Sequence, residues 1–264
     1  MNLVETLATL AGDAYSNSPV VLPTGFQAAT LSGVTLHGGL FANGSAAALV
    51  TTGLVDGLQT LVVAFRGSDD ATDWLNDLRN IDQSYGAFQP LVSAIERYAA
   101  AGGHVILEGH SLGGAIAQIF MSEHPADDHY RAVTFGSPGA LPETGVFHAA
   151  ADPRITNYAI SDDPFVFLGE HRAEVASYAL HHPLYGLVLA AEIGDESGLS
   201  LKTVAQSEAF MTGDYVNNGA VVTLHGHSSS LSVSSVIAAN PAEHDIATYL
   251  KLTSVSGVPE PFMW

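Results

Sequence analysis

Ser111 is the residue whose surroundings most clearly point to chemistry. It is the centre of a Gly-His-Ser-Leu-Gly sequence at residues 109–113, which follows the β-forming residues 105–107 and precedes an Ala- and Ile-rich helical pattern. A strand, a sharp turn and a helix in this order are typical of a nucleophile elbow, in which nearby glycines allow the strained turn. The N-terminus of the helix would stabilise negative charge on an attacked carbonyl oxygen. The pattern therefore predicts that Ser111 is a nucleophile for acyl transfer.

A serine nucleophile needs a histidine base within hydrogen-bond reach and a carboxylate that orients the histidine. In hydrolases with this type of elbow, the three groups follow the chain order serine, acid, histidine. Asp163 and His244 fit this order, since Asp163 follows a predicted strand and His244 comes near the start of a predicted last helix. Asp162 is an alternative acid, and His225 and His227 are alternative bases.

Strand-like and helical stretches alternate along the chain. The near-continuous apolar run at residues 59–66 is typical of a strand that is buried on both faces of a sheet. Strands that alternate with helices indicate right-handed crossovers and a mainly parallel sheet. We therefore predict an α/β fold, with a mainly parallel central sheet flanked by helices, as a single domain over residues 1–264. The other predicted strands are residues 26–31, 34–37, 46–51, 105–107, 130–136, 154–160 and 221–224, and the main predicted helices are residues 3–11, 88–101 and 243–252.

The composition excludes several classes of protein. Apolar residues make up 47% of the 264 residues and charged residues only 13%, which suits a large core and excludes a disordered chain. No run approaches the roughly 18 apolar residues of a membrane span. There is no cysteine, which excludes a thiol nucleophile, a disulfide and a zinc thiolate site. The first residues lack the basic and apolar regions of a signal peptide, so none is expected.

The charge balance is strongly acidic. Acidic residues number 27 and basic residues 8, which gives a formal net charge of −19. Such a field repels nucleic-acid phosphates and anionic lipid headgroups, so we expect no nucleic-acid partner and a neutral substrate. Solubility alone is the alternative explanation of the charge.

Three sequence blocks resemble those of the class 3 lipases, the fungal-type triacylglycerol lipase family of the α/β-hydrolase fold. The blocks are residues 62–68 followed by Trp74 and Leu78, residues 109–115, and residues 135–138. The resemblance implies an α/β-hydrolase fold and hydrolysis of water-insoluble lipid esters at an oil–water interface, triacylglycerols first. A phospholipase A1 or a short-chain carboxylesterase is the alternative enzyme. A silent hydrolase-fold protein that binds an acyl ligand or a partner is the non-enzymatic alternative.

The resemblance also implies a set of site residues and an extracellular location. Ser111 matches the family's nucleophile, Asp163 its acid and His244 its base. The oxyanion hole is formed by the backbone N–H of Leu112 and by Ser68, which can offer both its N–H and its hydroxyl. Neither a metal nor a cofactor takes part in this chemistry.

The segment at residues 70–81 occupies the place of the lid in these lipases. Trp74, Leu75, Leu78 and Ile81 form one apolar stripe at helical spacing. Such a stripe could cover the acyl-binding cleft and open at an oil surface, or it could belong to a fixed, packed helix. The sequence leaves both interpretations open.

Two residues of the elbow strand need separate mention. His110 is expected to pack behind the elbow, as in the family pattern. Glu108 departs from that pattern, because its position is usually small or hydroxylic in the family. The sequence assigns no role to this glutamate.

Overall fold

The computed structural model describes residues 1–68, 81–125, 127–140, 151–182, 184–186, 213–227 and 230–264. The strands in these ranges are β1 (Phe26–Ala28), β2 (Leu40–Asn43), β3 (Ala46–Val55), β4 (Leu58–Phe65), β5 (His104–His110), β6 (Tyr130–Phe135), β7 (Ile155–Ile160) and β8 (Ala220–Leu224). The α-helices are α1 (Leu3–Asp13), α2 (Ile81–Ala87), α3 (Gln89–Ala100), α4 (Leu112–Glu123), α5 (Pro164–Glu170), α6 (Arg172–His181) and α7 (Ile246–Thr253). Two 3-10 helices, Val236–Ala238 and Pro241–His244, precede α7.

The strands form one sheet with a parallel and an antiparallel part. Strands β4, β5, β6, β7 and β8 follow one another in the sheet and are parallel. Strand β3 pairs with β4 antiparallel, and β1 and β2 pair antiparallel with β3. A mainly parallel sheet with helices on its faces is the α/β architecture predicted from the sequence, so the predicted fold class is confirmed.

Side chains of the parallel strands alternate between two apolar layers. In β4, Leu61, Val63 and Phe65 contribute to one layer, whereas Val62 and Ala64 contribute to the other. Helices α2, α3 and α4 cover the first layer, and α1 and α7 cover the second. The inner strands are therefore buried on both faces, which explains why their sequences are almost continuously apolar.

One predicted strand is wrong. Residues 34–37 do not form a strand, and His37 makes only an isolated bridge with Leu40. Gly38 and Gly39 lie between these two residues with φ of 61° and 88°, so the chain turns there and the edge strand begins only at Leu40. Positive φ is accessible to glycine without steric cost, and this pair of glycines is a turn signal that outweighs the apolar residues before it.

The carboxyl ends of the parallel strands lie at one edge of the sheet. Ser68 follows β4, Ser111 follows β5 and Asp163 follows β7. His244 is the last residue of the 3-10 helix that precedes α7. Ligand sites of open α/β sheets lie at this edge, so the fold gathers the predicted site residues where chemistry is expected. Among the described helices, none is long and apolar enough to cross a bilayer.

Candidate active site

Ser111 occupies the sharp turn between β5 and α4. Its backbone has φ 57° and ψ −130°, and the residue is buried. Such a conformation costs a non-glycine residue roughly 1–3 kcal/mol and persists only where the surrounding structure holds it. A Cβ at Gly109 would collide with the backbone of Gly113, and a Cβ at Gly113 would collide with the carbonyl oxygen of Phe65. Both glycines are needed because the helix starts directly against the ends of β4 and β5.

The structure brings Ser111, His244 and Asp163 into one hydrogen-bonded series. Nε2 of His244 lies 2.8 Å from Oγ of Ser111. Nδ1 of His244 lies 2.8 Å from Oδ2 and 3.0 Å from Oδ1 of Asp163. Because the carboxylate can only accept, Nδ1 carries the proton and Nε2 is free to accept the serine proton. The arrangement has the geometry that a nucleophile, a base and an orienting acid require.

Asp163 is held as a carboxylate by its surroundings. It is the N-cap of α5, and its Oδ1 accepts hydrogen bonds from the backbone N–H groups of Phe165 and Val166. The hydroxyl of Tyr249 donates to its Oδ2 over 2.7 Å. Burial acts to raise the pKa of Asp163, but the adjacent His244 and these donors outweigh it, so the pKa lies below its ordinary value. The acid is therefore charged when it faces the imidazole.

His110 contacts His244, the predicted base, in addition to packing behind the elbow. Its Nε2 lies 2.6 Å from the carbonyl oxygen of His244, which can only accept, so Nε2 carries the proton. Its Nδ1 then accepts from the hydroxyl of Tyr15 over 3.0 Å. Burial, together with the nearby His244, lowers the pKa of His110 to about 3. A neutral His110 thus links the segment after α1 to the backbone of the base.

The predicted oxyanion side is formed by residues 66–68 and by the start of α4. A Cβ at Gly67 would lie 2.5 Å from the hydroxyl oxygen of Tyr15 and 2.7 Å from the carbonyl oxygen of His110. The same Cβ would lie 3.3 Å from Cβ of Ser111, so this loop lies directly against the elbow. Ser68 follows at once and is half-buried. The N–H of Leu112 belongs to the first turn of α4, where backbone N–H groups have no partner within the helix.

The alternative acid and bases have other neighbours in the structure. Nδ1 of His227 donates to Oε1 of Glu243 over 2.8 Å, and the side chain of His227 is largely exposed. His225 borders a groove of about 350 Å³ at the edge strand β8. Asp162 is buried against Gly226, where a Cβ would collide with its carboxylate. The hydrogen bonds to Nδ1 of His244 described above come from Asp163.

Part of the predicted lid lies outside the described residues. This applies to Trp74, Leu75 and Leu78. Ile81 is described, begins α2 and is buried in the apolar layer beneath α2 and α3. The choice between a lid and a fixed helix stays open.

Glu108 lies in β5 with no hydrogen-bond partner for either carboxylate oxygen, and it is fully buried. Burial, and secondarily the charge of Asp13 at the end of α1, raises the pKa of Glu108 well above its ordinary value. Its carboxyl therefore keeps its proton to higher pH than that of a solvent-exposed glutamate. Glu108 and Asp163 are both buried carboxyls, but their pKa values are shifted in opposite directions.

Three further residues touch the site and were not assigned to it by sequence. Tyr15 reaches His110, Tyr249 reaches Asp163, and the ring of Phe165 lies against His244. Phe165 lies two residues after Asp163, and Tyr249 lies five residues after His244. This proximity in sequence is the signal that could have identified them. Tyr15 lies 95 residues before its partner, and nothing in its local sequence marks it. Within the described ranges, no group of three histidine, aspartate or glutamate side chains is placed to hold a metal ion.

Comparison with known proteins identifies a related domain. A family model described as "Phospholipase-like: Tle-like phospholipase domain" matches residues 6–217. This range contains Ser111 and Asp163, but it ends before His244. No curated protein matches the chain significantly.

Fungal lipase structures are similar to the chain at low identity. A Rhizomucor miehei triacylglyceride lipase is 17% identical, with 62% of this chain and 72% of that chain covered and a TM-score of 0.42. A Rhizomucor miehei lipase propeptide complex is 21% identical, with a TM-score of 0.36. That match covers 50% of this chain and 52% of the other, so it spans about half the length of the relative. The protein MDLA of Penicillium cyclopium is 14% identical, with 61% and 70% covered and a TM-score of 0.41. Similarities at these scores do not assign an activity.

Proposed function

The chain belongs to the Tle-like phospholipase domain family, and from this membership we propose that it hydrolyses carboxylic ester bonds of phospholipids with Ser111 as the nucleophile. The predicted lipase family is confirmed at the level of a lipase-like or phospholipase-like hydrolase. The substrate and the catalytic roles are the proposal. The observation that carries it is the series from Ser111 Oγ through His244 to Asp163, with contacts of 2.8 Å on both sides of the imidazole.

The proposed mechanism follows from the tautomer of His244. Nε2 removes the proton of Ser111 while Oγ bonds to the ester carbonyl carbon, and the carbonyl electron pair moves onto oxygen. The N–H of Leu112 and the N–H and hydroxyl of Ser68 are the proposed donors to that oxyanion. The imidazolium then gives its proton to the leaving alcohol, and an acyl-serine remains. Water activated by the same histidine releases the fatty acid and restores Ser111.

The charge of the chain supports a headgroup without net charge. The net charge of −19 repels anionic bilayers and leaves zwitterionic ones accessible. Among the described arginines, Arg131, Arg154 and Arg172 are buried, whereas Arg66 is half-buried and Arg97 is exposed, so few basic side chains face a phosphate-rich membrane. We therefore expect faster hydrolysis of phosphatidylcholine vesicles than of phosphatidylglycerol vesicles at low salt. The difference should narrow at high salt, where surface charge is screened.

A serine-directed fluorophosphonate and an acyl-release assay test the proposal together. Ser111→Ala should lose labelling and fatty-acid release, whereas Ser122→Ala, a matched buried serine on the same helix, should retain both. Phosphatidylcholine, a triacylglycerol and a short-chain p-nitrophenyl ester are compared as substrates. Failure of the folded wild-type protein to label would indicate a silent hydrolase fold. Labelling with release from triacylglycerol or the short ester alone would overturn the phospholipid substrate and leave the serine mechanism.

The identity of the base is tested separately. His244→Ala should lower the rate by several orders of magnitude, as deletions of a triad member do in other hydrolases. His227→Ala should lose little, because its side chain is largely exposed and pairs with Glu243 instead. The reverse pattern would show that His244 is not the base.

A further inference from the structure

The imidazole of His244 lies against an aromatic ring. The ring centroids of Phe165 and His244 are 4.3 Å apart, and their planes make an angle of 28°. Phe165 is the second residue of α5, and its backbone N–H donates to Oδ1 of Asp163 over 2.8 Å. The first turn of α5 therefore presents both a carboxylate and an aromatic face to the same imidazole.

We propose that Phe165 is a positioning residue that stabilises the imidazolium of His244 as it forms during ester hydrolysis, an inference that rests on the proposed function. The face of an aromatic ring is electron-rich and attracts a cation that lies over it, most strongly where water is excluded. His244 is neutral before Ser111 attacks and cationic once Nε2 has taken the serine proton. An interaction that favours the second state over the first accelerates the reaction instead of only tightening binding.

The other groups that surround His244 leave a stabilising role for the ring of Phe165. Asp163 stabilises the imidazolium from the Nδ1 side, and Ser111 occupies the Nε2 side. His110, on β5, has its ring centroid 4.8 Å from that of His244 and is neutral, so it supplies no compensating charge. Tyr249, on α7, reaches Asp163 and not the imidazole. Phe165 is thus the aromatic neighbour that α5 contributes in addition to its carboxylate.

The same helix offers a matched control. The rings of Phe167 and His171 are also 4.3 Å apart with an interplanar angle of 28°. His171 follows α5 and is the N-cap of α6, and its Nδ1 lies 3.6 Å from Oε2 of Glu174. Phe167→Leu removes an equivalent aromatic–histidine stack from α5 without touching the proposed base.

The experiment compares Phe165→Leu, Phe165→Tyr and Phe167→Leu in the full chain. Initial rates on a soluble p-nitrophenyl ester are measured as a function of pH, and the folded fraction is checked by thermal unfolding. Phe165→Leu should lower kcat by about 3- to 30-fold, the range expected of a partly desolvated cation–π contact, with little change in KM. The acidic limb of the pH–rate profile of Phe165→Leu should move to lower pH, because the protonated imidazole of His244 has lost a stabilising neighbour. Phe165→Tyr and Phe167→Leu should keep the wild-type kcat and pH profile.

Each other result overturns the inference. An unchanged kcat in Phe165→Leu would show that the stack has no effect on the reaction, and a lower kcat with an unmoved acidic limb would assign Phe165 to packing alone. A rise in KM alone would make the ring a substrate contact. If Phe165→Leu does not fold, Phe165→Met, which keeps a side chain of similar volume without a ring, replaces it. Failure of the wild-type protein to label with the fluorophosphonate would refute the proposed function itself, whereas an active wild type with an unaffected Phe165→Leu refutes only this inference.

Discussion

The hydroxyl of Tyr249 donates a hydrogen bond to Oδ2 of Asp163 over 2.7 Å, the same oxygen that lies 2.8 Å from Nδ1 of His244. The tyrosine oxygen in turn accepts from the backbone N–H of Ile160 over 3.2 Å. Burial, reinforced by the charge of Asp163, raises the pKa of Tyr249 well above its ordinary value, so this hydroxyl stays a donor throughout the working pH range. The last helix therefore fixes the carboxylate that orients the base.

Removal of this donor should reduce turnover. Tyr249→Phe deletes one hydrogen bond to a charged group, worth about 1.5–3 kcal/mol, and we expect kcat to fall about tenfold. Tyr158→Phe is the control, because its buried hydroxyl donates to the carbonyl oxygen of Pro259 and not to a site residue. Steady-state kinetics and thermal unfolding of both variants separate the two effects. Equal kcat in Tyr249→Phe and wild type would show that Asp163 needs no third donor.

The close approach of Gly67 to the elbow should also be critical for catalysis. Gly67→Ala adds a Cβ between the hydroxyl of Tyr15 and the carbonyl oxygen of His110, so residues 66–68 must move away from Ser111. A displacement of about 1 Å can cost on the order of 10²-fold in rate, and we expect a loss of that size in kcat with the fold retained. Gly86→Ala in α2 is the control, since a Cβ there meets no atom within 4 Å. Full activity of Gly67→Ala would remove the proposed oxyanion role of this loop.

The elbow helix is anchored by a buried amide. Nε2 of Gln118 donates to Oγ of Ser137 and to Oδ1 of Asn217, and its Oε1 accepts from the backbone N–H of Asn218. Gln118→Leu removes the partner of the Asn218 N–H and of Asn217 Oδ1, while Oγ of Ser137 keeps the N–H of Gly139, and should lower the free energy of unfolding by about 3 kcal/mol. Gln89→Leu, at an exposed position of α3, should change it little. Urea unfolding measures both, and a loss below about 1 kcal/mol in Gln118→Leu would contradict the expectation.

Glu108 should make the protein less stable as pH rises. Its folded pKa is raised, so above its unfolded pKa of about 4.3 the unfolded chain releases the proton while the folded chain keeps it. The stability that neutral Glu108 contributes is complete below the unfolded pKa. It is lost as the pH rises from there toward the folded pKa, at about 1.4 kcal/mol per pH unit. Glu108→Gln abolishes this titration.

The comparison is made by urea unfolding between pH 4 and pH 8. The free energy of unfolding of Glu108→Gln minus that of the wild type should increase with pH across this interval. Glu123→Gln, which alters a carboxylate bonded to the hydroxyl of Tyr85 on the far end of α4, serves as the control and should not show this rise. A difference that is constant with pH would mean that Glu108 ionises freely in the folded protein.

Local sequence predicted the parts of this molecule that local interactions determine. The elbow could be recognised because the residues that force the turn, Gly109 and Gly113, are adjacent to Ser111. Asp163 and His244 followed from chain order and family resemblance, and their distances to one another now support roles that stay predictions, as do those of Ser68 and Leu112. Whether residues 1–264 form one domain also stays a prediction.

The contacts that tertiary packing creates could not be predicted in this way. Tyr15 meets His110 only because α1 lies on the sheet face behind the elbow, and no spacing rule connects residues that far apart. Phe165 stands two residues after the acid, but whether its ring faces the base or solvent depends on how α5 docks. Glu108 interrupts the apolar run of a strand that is buried on both faces, and its raised pKa depends on enclosure that a sequence does not display.

The contact between Ser111 and His244 joins residues 133 positions apart in the chain. During synthesis the elbow and all strands through β8 are made before the 3-10 turn Pro241–His244 and α7. With the proposed roles of Ser111 and His244, a nascent chain carries the nucleophile before its base, and hydrolytic competence arises only when this late segment docks on the sheet. The turnover rate therefore depends on the docking of this late segment as well as on the folding of the rest of the chain. Local detachment of that segment would silence the enzyme reversibly while the sheet stays folded.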